Sequence, residues 1–267
     1  MEFYHTVPID THTWLIEDCF KGYMYLLEGE REAVLIDTGM GLPGLKECVN
    51  SLTSRPVTVI NSHGHLDHVG GNCQFENRYM MEEDYDVLKE HTNVQFREGL
   101  IRGFAQEFGM KFDEREFKNI AKAGYLVPFL PLADGQIFDL GKRTLEIISV
   151  PGHTKGSVCI LDRERRNLFS ADTICDQGIL LFFSHSASVR DYLRSVQLLK
   201  RKKKCFEKIW PGHHKYPLDL DYLNEYEECA EQILMMPERG DDICSNLGKG
   251  KIWHKGRISI TYRMQNL

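Results

Sequence analysis

No stretch of this sequence is apolar enough to cross a bilayer. The longest run without a polar side chain, about residues 126–133, contains Pro128 and Pro131 and falls far short of the ~20 residues a spanning helix needs. The N-terminal MEFYHTVPIDTH has neither a basic segment nor an apolar core, so no secretory signal is read there. An excess of positive charge is also missing. Lysine and arginine total 33 against 39 acids, a formal charge of −6, and without a basic face neither a nucleic-acid nor a membrane partner is expected. Proline is scarce, nine residues against 22 glycines, while 42% of the chain is hydrophobic, which excludes a disordered or collagen-like protein. The eight cysteines never fall in a CxxC pair. Scattered thiols of this kind suit a reducing cytoplasm and the role of small apolar fillers.

What is present reads as layered α/β structure. Tyr23–Glu28 and Ala33–Ile36 are apolar runs joined by the polar turn 29–32, a hairpin signal. Leu42, Leu45, Val49 and Leu52 follow at helical spacing, and residues 56–60 (PVTVI) form a further β-branched strand. Residues 81–125 change character, rich in Glu, Lys, Phe and Met, and predict two or three helices. Strands are expected again at 144–150, 157–161, Asn167–Ala171, 206–210 and 257–262, and helices at 192–204 and 220–235. No linker interrupts the chain, so residues 1–267 are expected to form a single domain.

One segment outweighs the rest. Ser62-His63-Gly64-His65-Leu66-Asp67-His68-Val69-Gly70-Gly71 places three histidines and an aspartate within six positions, directly after a strand that reads as buried. Imidazole nitrogen and carboxylate oxygen are the donors that borderline divalent cations prefer. Further donors follow at strand ends: His153 in Pro151-Gly152-His153-Thr154, Asp172 after Asn167–Ala171, and His213-His214 after Pro211-Gly212. Each lies one to three residues beyond an apolar run. Strand ends are rigid enough to bring ligands together accurately, and open α/β sheets tend to place their sites there.

HxHxDH, then PGHT, then an isolated aspartate, then PGH, preceded by Leu35-Ile36-Asp37-Thr38-Gly39, resembles the metallo-β-lactamase superfamily in order and over nearly the whole chain. The resemblance implies a four-layer αββα sandwich of two mixed β-sheets flanked by helices, with residues of about 81–125 as a helical insertion that caps the groove, elaborates the outer surface or forms a dimer contact. It implies two divalent metal ions, zinc foremost, with iron or manganese as alternatives. Carried over by motif, His63, His65 and His153 bind the first ion. Asp67, His68 and His213 bind the second, and Asp172 bridges both. Asp37 stands behind the histidine loop and steadies it. The implied reaction is hydrolysis of a small ester, thioester or lactone by metal-activated hydroxide, with Asp67 orienting the nucleophile. The alternatives are an iron-dependent oxidoreductase resembling persulfide dioxygenases, which would need only His63, His153 and Asp172, and a metal-dependent phosphodiesterase. Lys200-Arg201-Lys202-Lys203-Lys204 closes an expected helix, where cations favour the negative end. It is read as a solvated face. The apolar stretch after Asp172 is expected to shape a pocket for a small-molecule substrate, with Cys175, Phe182, Phe183 and His185 as candidate contacts.

Overall fold

The computed structural model describes residues 3–245 and 248–267. The chain divides into two compact units, one built from the residues up to Leu132 together with Asp139–Arg143, the other from Ala133–Phe138 and Thr144–Leu267.

The first unit is a seven-stranded sheet in chain order: β1 (Tyr4–Asp10), β2 (Thr13–Asp18), β3 (Tyr23–Glu28), β4 (Ala33–Ile36), β5 (Val57–Ile60), β6 (Asn77–Met80) and β7 (Leu130–Pro131). The first four strands run antiparallel, as hairpin turns allow, and from β4 onward neighbours are parallel. Parallel pairing requires crossovers. The first is α1 (Leu45–Leu52), whose Leu45 and Val49 are buried one helical turn apart. A short α2 (Leu66–Val69) follows β5, and α3 (Tyr85–His91), α4 (Val94–Glu107) and α5 (Glu114–Ala123) lie between β6 and β7. The helices expected over 81–125 are therefore three. Asn93 caps α4 by accepting from the Gln95 and Phe96 amides. Asp113 and Glu116 form a reciprocal capping box on α5, which satisfies amide donors that the first helical turn leaves open. Ile101, Ala105, Phe117 and Ile120 of these helices join Leu26, Leu35 and Val59 of the sheet in one apolar core.

The second unit holds β8 (Ile137–Asp139), β9 (Thr144–Ser149), β10 (Val158–Asp162), β11 (Asn167–Ala171), β12 (Ile179–Leu181), α6 (Val189–Arg201), β13 (Lys208–Pro211), α7 (Asp221–Met235), β14 (Asp241–Ser245), β15 (Gly248–Lys255) and β16 (Ile258–Tyr262). Its strands make two ladders, in the orders β13-β11-β10-β9-β8 and β12-β16-β15-β14. Both are mixed. Tyr192, Val196 and Leu199 of α6 and Tyr222, Tyr226 and Ile233 of α7 share a core with Ile148, Leu168, Ile209 and Ile260 of the strands. The lysine run falls where α6 ends, as its reading as a helix terminus requires. Among the described residues no disulfide joins the cysteines, and no helix is long and apolar enough to cross a membrane.

Topology decides where the chemistry-bearing residues emerge. β4 and β5 are parallel, so Asp37 and the histidine loop leave the first unit at the same edge. In the second unit β9 and β11 each pair antiparallel with β10 and so run the same way, and β13 is parallel to β11. His153, Asp172 and His213 therefore share an edge as well.

Close backbone approach explains the glycines beside the histidine loop. A Cβ on Gly41 would lie 2.2 Å from the Gly70 carbonyl oxygen, and one on Gly70 would lie 2.4 Å from the Met40 carbonyl carbon. Gly70→Ala is therefore expected to push these two turns apart and destabilise the fold by about 1–3 kcal/mol, the usual cost of overpacking. Urea denaturation should register this as a lower midpoint at unchanged slope.

Candidate metal centre

In the first unit the histidine loop is held from below by Asp37. This residue is buried and sits in the left-handed region, at φ 63°. One carboxylate oxygen accepts from the Ser62 amide at 2.7 Å. The other accepts from the Ser62 hydroxyl and from His68 Nδ1, each at 2.7 Å. A carboxylate only accepts, so the His68 proton sits on Nδ1 and the Nε2 lone pair becomes the donor for a cation. The Ser62 oxygen, whose proton is committed to Asp37, lies 3.0 Å from His63 Nδ1 and orients that ring in the same sense.

The donors are spaced as pairs. His63 Nε2 and His65 Nδ1 lie 3.1 Å apart. Two imidazole nitrogens bound tetrahedrally to one ion at ordinary Zn–N lengths are about 3.3 Å apart. His68 Nε2 and the nearer Asp67 oxygen are separated by 3.7 Å. Asp67 is the more open of the two, 22% exposed against 1% for His68.

In the second unit Asp172 faces two histidines with different oxygens. Oδ2 is 3.5 Å from His153 Nε2, and Oδ1 is 3.6 Å from His213 Nε2. His153 Nδ1 donates to the Leu180 carbonyl at 2.9 Å, again leaving Nε2 as the electron-pair donor. His213 is thus the member of the His213-His214 pair that turns to Asp172. Burial and the neighbouring His213 hold His214 below the usual histidine pKa. These His and Asp groups are of the kind that could hold a metal ion, and their chemistry fits a borderline divalent cation.

The candidate substrate contacts divide into two sets. Cys175 is buried, its Sγ donating to the Ala171 carbonyl, and burial pushes its thiol pKa well up. Phe182 is likewise buried, its ring tilted against that of Phe183 with centres 4.6 Å apart. Cys175 precedes β12 and Phe182 follows it, and both side chains are turned into the protein interior. Phe183 and His185 are only partly buried. Phe183 stands edge-on to His153 with ring centres 6.0 Å apart, and His185 stacks on Phe183 at 5.1 Å.

Other positioning residues carry no sequence signal. Asp84 accepts from the Gly64 amide at 2.8 Å. His91 Nδ1 accepts from the Leu66 amide, and its ring stacks on His65. Both come from the helical segment, 20 or more residues beyond the histidine loop, and belong to no motif. The phenols of Tyr192 and Tyr226 donate to the Thr173 and Cys175 carbonyls, and Tyr222 donates to Asp176, which pins the segment following Asp172 to α6 and α7.

A family model described as the metallo-beta-lactamase superfamily matches residues 18–205. The chain is 30% identical over 218 residues to the acyl-coenzyme A thioesterase MBLAC2 of Bos taurus, covering 72% of this chain and 73% of that one. It is 23% identical to a hydroxyacylglutathione hydrolase of Francisella philomiragia, over 78% of this chain and 69% of the relative. Among solved structures, the metallo-beta-lactamase from Pontibacter korlensis aligns with TM-score 0.60 at 16% identity, over 85% of this chain and 99% of that one. The sec-alkylsulfatase Pisa1 from Pseudomonas sp. aligns with TM-score 0.68 at 14% identity, over 89% of this chain and 44% of that one. At such identities the structural likeness speaks for the fold alone. Taken with the family match over most of the chain, it means that the chain belongs to the metallo-beta-lactamase superfamily and carries the fold of its hydrolases.

Proposed function

We propose that this chain hydrolyses a thioester, or a closely related small acyl ester, at a dinuclear centre whose ions are zinc. In this reading His63, His65 and His153 hold one ion, Asp67, His68 and His213 hold the other, and Asp172 serves both. The observation that carries it is Asp172 itself, with one oxygen turned to His153 and the other to His213 at nearly equal distances. A carboxylate shared between two cations offers one oxygen to each. The paired spacing of His63 with His65 and of Asp67 with His68 divides the remaining donors in the same way.

When bound, divalent cations lower the pKa of a water from 15.7 to about 7 and polarise an acyl carbonyl. The chain's own residues prepare for that chemistry. Asp37 and the Leu180 carbonyl hold protons on the Nδ1 atoms of His68 and His153, so both rings present lone pairs. Asp67, the more open of its pair, is placed to accept a proton from an attacking water and to orient it. Cys175 is a protonated, buried thiol and no nucleophile. Phe183, backed by Phe182 and stacked against His185, provides an aromatic wall beside His153 for the acyl group. Thioester substrates are favoured because the thioesterase MBLAC2 and the hydroxyacylglutathione hydrolase are among the relatives. The scattered cysteines support a cytoplasmic setting for this reaction.

The test is a substrate panel on zinc-loaded protein: acyl-coenzyme A and acyl-glutathione thioesters, lactones, phosphodiesters and β-lactams. The highest kcat/KM is expected for a thioester. Turnover of phosphodiesters alone, or of none of the panel, contradicts the reading. Phe183→Ala should raise KM for the best thioester about tenfold or more at little change in kcat, since burying a phenyl ring is worth about 1.5–3 kcal/mol and acts on ground and transition state alike.

A further inference from the structure

Arg97, on α4, is fully buried. All four of its hydrogen bonds run to backbone carbonyls. Nε and Nη2 donate to Ala121 at 3.0 Å and Ile120 at 3.1 Å, Nη1 donates to Gly70 at 3.4 Å, and Nη2 also donates to Met40 at 3.4 Å. Ile120 and Ala121 lie in the last turn of α5, whose carbonyls have no partner within the helix and carry the negative end of its dipole. Burial pulls the arginine pKa down to about 10, so the charge persists at neutral pH. The slot is shaped for a planar group: a Cβ on Gly124 would fall 2.0 Å from the guanidinium carbon, and one on Gly41 would fall 2.9 Å from Nη2.

The other two carbonyls belong to the ground beneath the histidine loop. Gly70 caps α2, the turn that carries Asp67 and His68. Its amide donates to the Gly39 carbonyl, while the His68 carbonyl accepts from the Thr38 amide. One guanidinium therefore ties the end of α5, the Met40 turn and the end of α2 to a single point.

We infer that Arg97 is a positioning residue that couples the α4–α5 segment to the cation-holding loop, fixing Asp67 and His68 for the ion they would bind. The inference rests on the metal-binding reading above. Only a flat, forked donor serves three directions at once. Lysine keeps the charge but not the geometry.

The test uses the whole chain and zinc alone, titrated against a chromophoric chelator. Arg97→Lys removes the fork, and Gly124→Ala displaces it without touching the charge. Both variants are expected to raise the zinc dissociation constant about 10- to 100-fold, the usual effect of losing a group that orients a ligand. A merely structural role would lower the melting temperature of the metal-free variants and leave zinc affinity of the folded protein unchanged, and that result overturns the inference. Hydrogen exchange on the unmodified chain supplies a second reading that needs no variant. Coupling is reciprocal, so zinc should slow exchange over residues 93–124 as well as 62–72. Protection confined to 62–72 also overturns it. An unmodified chain that binds no zinc defeats the functional reading instead, before any variant is compared.

Discussion

Asp172→Ala should lower kcat at least about a thousandfold if Asp172 serves both ions as proposed, since a residue that anchored two Lewis acids would underlie several kcal/mol of transition-state stabilisation. The fold should survive. Asp172 lies just beyond β11, where its main hydrogen-bond ladder has already closed. Far-ultraviolet circular dichroism should therefore match the parent while zinc content falls. Asp172→Asn refines the test, because the amide keeps one acceptor oxygen and loses the charge, and it should retain shape but little activity. Parental turnover in either variant contradicts the assignment of Asp172 to the centre.

The second large effect is expected at Asp37, which is buried beneath the histidine loop. Asp37→Ala leaves the Ser62 amide, the Ser62 hydroxyl and His68 Nδ1 without their common buried acceptor, and each orphaned buried donor costs about 1–3 kcal/mol. Stability of the metal-free protein should fall by several kcal/mol, read as a lower urea midpoint. Zinc affinity should drop about 10- to 100-fold as His68 loses the partner that fixes its tautomer. Asp37→Asn separates the two losses. It can still accept from Ser62, but it carries an amide where a carboxylate met the imidazole, so affinity should suffer more than stability.

The histidine loop and the strand-end donors were legible because they sit in local sequence patterns. Apolar runs mark the strands at Tyr23–Glu28, Ala33–Ile36 and Asn167–Ala171, and these are observed with the same ends. Helix ends were less legible. The helix expected over 192–204 starts at Val189, because Ser188 accepts from the Asp191 amide, a cap that lies upstream of the apolar periodicity. The helix expected from residue 42 begins at Leu45, after Gly44 in a left-handed conformation. Strands β1, β6, β7, β8 and β14, with exposed or half-buried patterns, lack the apolar alternation that identifies a strand and are held by neighbours in the ladder.

The supporting residues were out of reach for a different reason. Asp84, His91 and Arg97 act through contacts with residues 20 or more positions away, and nothing in their local spacing announces a partner. Residues 81–125, expected as a lid, surface or dimer contact, also supply three groups that bond to the backbone of the histidine loop. Cys175 was placed by its position three residues after Asp172, but its bond to the Ala171 carbonyl and its burial beside the end of β11 could not be read from that spacing.

The central claim is that this chain holds two cations, and elemental analysis tests it most directly. Protein purified without chelator and quantified by plasma mass spectrometry should carry two zinc ions per chain. One iron ion per chain, or a chain that retains no metal, would contradict the account.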